Sequence, residues 1–207
     1  MKSKIVVDSS ANVYELPDVG FACVPLKILT DEQEYVDTAE IDAPALAAMM
    51  RTYKGRTSTS CPNISDRLTA YAGADEVYVV TLTGTLSADY NAALLAGEEY
   101  EQSHEGERVF VLDSLSTGAE SRLLVERLAA LIKAGKPFDT VCEEIRAYHE
   151  HTHLLFALES LANLARNGRV KPAVAAVPRM LGIRVIGQPR DAGAQEVICK
   201  PRREHRH

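Results

Sequence analysis

The run Glu76-Val77-Tyr78-Val79-Val80-Thr81-Leu82 constrains the fold more than any other stretch of this chain. It is short, apolar and rich in β-branched residues, and it reads as the clearest buried strand. Strand-like runs and helical patterns alternate on either side of it. Ile5-Val6-Val7, Phe21 to Leu29 and Arg108 to Leu112 read as strands. Asp42-Ala43-Pro44 opens a helix to about Tyr53, with Asp as N-cap and Pro in the first turn. Further helices are predicted over Ile64–Ala72, started by Pro62, Asp89–Gln102, Thr117–Ala134 with Gly135 as the stop, and Phe138–His149. Strands that alternate with helices of this length predict an α/β fold built on a parallel sheet with crossover helices.

In such sheets ligands lie outside the carboxyl ends of the strands. Asp8-Ser9-Ser10, Thr83-Gly84-Thr85 and Asp113-Ser114 each follow a predicted strand directly, so they are expected to converge on one sheet edge. Thr57-Ser58-Thr59-Ser60 precedes Pro62 and a helix. One hydroxyl there suffices as an N-cap, worth about 1 kcal/mol, and the others are available to an anion. Thr83-Gly84-Thr85-Leu86-Ser87 repeats the arrangement. Hydroxyls, backbone N–H groups at helix starts and an arginine are what a carboxylate or phosphate site needs. Arg169, after the turn glycine Gly168, either serves such a ligand or pairs with a structural carboxylate.

Composition removes several alternatives. The chain has 207 residues, 46% hydrophobic and 25% charged, with a net charge of −6. It therefore reads as an ordinary globular protein that buries roughly 70% of its unfolded surface. The acidic balance argues against a nucleic-acid partner, which needs a basic face. No apolar run approaches the roughly 20 residues of a transmembrane segment, and Met1-Lys2-Ser3-Lys4 leads into no signal-peptide core, so a cytoplasmic location is expected. Cys23, Cys61, Cys142 and Cys199 stand far apart, which suggests neither zinc nor disulfides.

Three other arrangements carry weaker signals. Cys61 beside a helix start has the setting of an activated thiol but no assignable histidine base. Asp8 with Ser9 supplies a single carboxylate, too few ligands for a metal. His149, His151 and His153 alternate, and on a strand they would share one face, as metal ligands or as a solvated junction. The nucleotide and hydrolase signatures GxGxxG, GxxxxGK[ST] and GxSxG are absent. Neither a cofactor nor a metal is expected.

The texture changes near residue 150. Leu154 to Leu158, Ala173 to Leu181, Arg184 to Gly187 and Glu196 to Cys199 read as the start of a second α/β unit. The predicted organisation is an N-terminal α/β domain over residues 1–150 with hydroxyl-rich loops, and a smaller, partial α/β domain over residues 151–207.

Five segments in one order carry a family resemblance: Val6-Val7-Asp8-Ser9-Ser10-Ala11-Asn12, Thr59-Ser60-Cys61-Pro62-Asn63, Leu86-Ser87-Ala88-Asp89-Tyr90-Asn91, Asp113-Ser114 and Gly168-Arg169-Val170. Together they resemble the DegV family of bacterial fatty-acid-binding proteins, over nearly the whole chain. The resemblance implies a long-chain fatty acid held between two α/β domains. It implies Thr59, Ser60 and Ser87 as holders of the carboxylate, and Ser9 is expected to bind the carboxylate with them. Arg169 is implied for that role or for contact with a partner, a separate fatty acid kinase that phosphorylates the presented carboxylate. On this reading the carrier itself is not an enzyme. The chain departs from the family pattern at Cys61, where the family has Gln, and at Ala88 and Asp89, where it has Gly and Thr. An ionised Asp89 repels a ligand carboxylate unless it sits as a helix cap, where negative charge is favoured. The family continues past the length seen here with a His-containing loop near the ligand, so the second domain is expected to be shortened. Two other readings stay open: an enzyme on a small anionic substrate with Asp8 or Asp89 as base, and a DegV-like module that binds no lipid.

Overall fold

The computed structural model describes residues 1–158, Leu161, Ala165, Asn167, Gly168 and the backbone of two later strands, Val185–Pro189 and Gln195–Cys199. The chain divides into two compact units, Met1–Thr152 and His153–His207.

In the first unit, strands β1 (Ser3–Asp8) and β2 (Gly20–Val24) join β6 (Glu76–Thr81) and β7 (Arg108–Asp113) in one sheet of order β2-β1-β6-β7. Every pairing in it is parallel. All six residues of β6 are buried, and the reason lies in the layers around it. Ile5, Val7, Tyr78 and Val80 pack on one face with Leu124, Val125 and Leu128 of α4 (Ala119–Lys133) and with Val141 and Ile145 of α5 (Phe138–His149). Val6, Val77 and Val79 pack on the other face with Tyr71 of α2 (Ile64–Tyr71) and with Ala93, Ala96 and Tyr100 of α3 (Asp89–Ser103). A strand covered on both sides has no polar face to alternate with, so it reads as a continuous apolar run.

The expected strand over Phe21–Leu29 is two strands in two sheets. Pro25 has no N–H and cannot continue a ladder. Beyond it the chain leaves the parallel sheet and becomes β3 (Lys27–Thr30), the centre of an antiparallel sheet β4-β3-β5. Its neighbours β4 (Glu34–Val36) and β5 (Thr57–Ser60) were not expected as strands from sequence. Between them lies α1 (Ala43–Thr52), whose N-cap Asp42 accepts the Ala45 N–H at 2.9 Å.

In the second unit β8 (Phe156–Leu158), β9 (Val185–Pro189) and β10 (Gln195–Cys199) form an antiparallel sheet in the order β10-β9-β8. The predicted segment Ala173–Leu181 lies outside the described residues. Among the described residues no helix is long and apolar enough to cross a membrane.

Candidate functional site

The carboxyl ends of β1, β6 and β7 carry three polar turns, and each is tied to its neighbour. Asp8 accepts the Ser10 N–H at 2.9 Å and, across the sheet, the Leu82 N–H at 2.6 Å. Asp113 accepts the N–H groups of Gly84, at 3.1 Å, and Leu115, at 2.9 Å. A Cβ at residue 84 would stand 2.9 Å from that carboxylate and 3.3 Å from Cβ of Tyr90, so only glycine lets this turn close. Thr83 and Thr85 bond each other through their hydroxyls at 2.9 Å. Ser87 accepts the Asp89 N–H at 3.2 Å at the head of α3.

The Thr57–Ser60 hydroxyls are not on a capping loop. They lie on β5, in register with Thr30, Leu29, Ile28 and Lys27 of β3. The cap of α2 is Asn63, which accepts the Asp66 N–H while Asp66 accepts the Asn63 N–H, a complete capping box. None of the four hydroxyls is needed to start the helix. Strand alternation turns Thr59 and Ser60 to opposite faces, with Thr59 exposed and Ser60 half-buried. The Ser60 hydroxyl donates to the Cys61 carbonyl at 3.3 Å.

Ser9 is fully buried, and its hydroxyl accepts the Leu26 N–H at 3.0 Å. In place of the expected carboxylate contact it therefore acts as a brace at the point where the chain crosses between the two sheets, because a hydroxyl sealed from the surface cannot meet a ligand. Leu26 precedes Lys27, whose register partner is Ser60, so the brace also brings the end of β5 up to the end of β1. Arg169 lies outside the described residues; Gly168 before it has φ +73° and its N–H donates to Ala165 at 3.1 Å.

What the sequence reading missed is the link between the two hydroxyl segments. Arg67, in the first turns of α2, and Asp89, the first residue of α3, form an ion pair at 2.5 Å with both side chains at 0% exposure. Ser60 stands just ahead of α2 and Ser87 just ahead of α3, so this pair locks together the two helix starts that follow them. A signal was available: Arg67 falls on the apolar stripe Ile64, Leu68, Tyr71, where an arginine needs a buried partner. Asp89 is accordingly neither a solvated cap nor a free charge beside an anion site. Burial pushes its carboxyl up to about 7, Arg67 pulls against that, and the negative charge of Asp8 adds to the push.

The other candidates resolve differently. Asp8 is 1% exposed and both its oxygens are engaged, and Asp89 is sealed with Arg67, so neither is placed to act as a general base. His149 ends α5 and bonds the Ser114 carbonyl at 2.8 Å, so the three alternating histidines do not share a strand face. Among the described residues no group of three His, Cys, Asp or Glu side chains is placed to hold a metal. Cys23 lines a cavity of about 220 Å³ with Tyr14, Pro25, Asp37, Thr38, Ala39 and Glu40. Its thiol is pushed up to about 12 by burial and by Asp8 and Asp37, which keeps it protonated. The acidic lining does not suit a carboxylate.

A profile of the DegV family matches residues 2–206. A DegV domain-containing protein of Streptococcus pneumoniae is 38% identical over 206 residues, 98% of this chain and 73% of the relative. The crystal structure of a DegV family protein from Eubacterium eligens, loaded with heptadecanoic acid, superposes with a TM-score of 0.92 at 40% identity, covering 97% of this chain and 72% of that one. The fatty acid kinase (Fak) B3 protein of S. pneumoniae, loaded with linoleic acid, superposes with a TM-score of 0.93 at 38% identity, covering 98% and 73%. Five ordered motifs, a parallel sheet with its polar turns on one edge, and a profile match from end to end agree: this chain belongs to the DegV family.

Proposed function

We propose that this protein binds one long-chain fatty acid, without a cofactor, and presents its carboxylate to a separate fatty acid kinase while doing no chemistry itself. The carboxylate is received by Ser87 together with one hydroxyl of the Thr59-Ser60 pair, whose two side chains point to opposite faces of β5, and Ser9 supports them as a brace. Arg169 takes part at the head group or at the kinase contact. The observation that carries this reading is the pairing of two hydroxyl segments, each leading into a helix, through Arg67 and Asp89. Helix starts carry partial positive charge, so two of them locked side by side favour an anionic head. The fatty acids held by the E. eligens and pneumococcal relatives support the ligand class, and the name of the latter supports a kinase partner. Energetically the roles divide. About 16 buried methylenes at roughly 0.8 kcal/mol each supply gross affinity of about 13 kcal/mol. Each hydrogen bond to the charged head adds about 1.5–3 kcal/mol and selects the acid.

Native mass spectrometry of the purified protein, followed by organic extraction, tests the reading. A stoichiometric mass excess released as fatty acid is the expected result. A protein that carries no lipid and takes up neither oleate nor palmitate on titration overturns it. The enzyme reading gains no support, because its two candidate bases are buried and engaged.

A further inference from the structure

The Arg67–Asp89 pair is built poorly for stability. Nε and Nη1 of Arg67 and Oδ1 of Asp89 are buried without a hydrogen-bond partner among the described residues, so one contact holds the whole pair. Taking two charges out of water costs more than such a contact returns, and apolar replacements of buried pairs are often neutral or stabilising. What the pair does have is position. It joins the first turns of α2 and α3, and Asp89 donates its own N–H to Ser87. That bond occupies a lone pair of the Ser87 oxygen, so the hydroxyl hydrogen is left to donate outward. The half-buried Ser87 thus keeps its hydroxyl hydrogen for another acceptor, at the head of the helix that the Arg67–Asp89 pair joins to α2.

We propose that Arg67 and Asp89 are positioning residues that set the spacing and aim of the Thr59-Ser60 and Ser87 segments, and so the preference for a carboxylate over a neutral lipid head. The proposal rests on the carrier reading and adds to it a determinant of head-group selectivity that no ligand-contacting residue supplies. Three charged groups meet in this buried cluster, Asp8 from the strand side and Arg67 and Asp89 from the two helices.

The test compares oleate with methyl oleate, which keeps the chain and removes the charge. The wild-type chain is expected to prefer oleate. Arg67→Met/Asp89→Met is expected to bind methyl oleate within about twofold of wild type and to lose at least tenfold on oleate. In a Ser87→Ala background the same double substitution is expected to cause no further loss of selectivity, because the positioned donor is already gone. A merely structural role lowers both affinities together. Should the apolar variant not fold, Arg67→Gln/Asp89→Asn, neutral but polar, carries the same expectation. A folded variant with the wild-type oleate-to-ester ratio overturns the proposal and leaves the carrier reading intact. A wild-type protein that binds neither probe removes the carrier reading and this inference with it.

Discussion

The two sheets of the first unit are built to different standards. In the parallel sheet β6 is buried throughout and β1 from Ile5 onward, with helices on both faces. In the antiparallel sheet β4-β3-β5 no residue is buried, and the same holds for all of α1 despite its Ala, Leu and Met content. The rigid sheet supplies the turns that hold Ser9 and Ser87, and the lightly buried one supplies Thr59 and Ser60. The proposed site, with one arm on a core and one on a thin lobe, can keep one half of its geometry while the other adjusts, because local stability follows buried contact. The Arg67–Asp89 pair joins the arms.

The contrast can be broken first at that junction. Asp89→Ala at pH 5, below the raised folded value, takes from the buried Arg67 the hydrogen-bond partner it has among the described residues, and is expected to cost about 3–5 kcal/mol in a denaturant titration. Within the rigid half, Leu128→Ala removes a side chain at 0% exposure and is expected to cost about 2–5 kcal/mol by the same assay. A pH series sharpens the role of the junction. The Asp89 carboxyl is raised in the folded state to about 7 from 3.8, so its contribution is fully present below the lower value and is lost as pH rises through the upper one. The stability of wild type relative to Asp89→Asn is therefore expected to fall across that window, and a flat difference in urea midpoints would contradict it. Where β5 hands over to α2 on the rigid half, Asn63→Ala removes the α2 capping box and is expected to cost about 1 kcal/mol in thermal unfolding. The smallest effect belongs to Met49→Ala on α1, expected below about 0.5 kcal/mol, with α1 amides exchanging far faster than those of β6.

How far the chain could be read follows from the same contrast. The β6 run, the Asp42-Ala43-Pro44 helix start and the helices over α2 to α5 were legible because their signals are local: continuous apolarity, a cap, a period. β4 and β5 were not, since a half-exposed strand of Thr and Ser looks like a loop until its partner is known. Pro25 divides the expected Phe21–Leu29 strand into β2 and β3, and only the pairing of β3 with β5 shows where the chain goes after it. For the proposed site, the hydroxyl-rich segments were legible as such, and the family resemblance implied Thr59, Ser60 and Ser87. Ser9 as a brace, His149 as a partner of the Ser114 carbonyl and Asp89 as half of a buried pair each depend on a bond to a residue distant in sequence.

By itself, then, the sequence determined the α/β class, the parallel sheet and the set of polar turns at its edge, because burial and capping act over neighbours along the chain. That Ser9 is sealed as a brace, and that Asp89 meets Arg67, were decided by the tertiary structure. Those outcomes depend on which groups meet across the α2–α3 contact and the two sheets, and residues 22 positions apart, like Arg67 and Asp89, leave no trace of their meeting in local pattern.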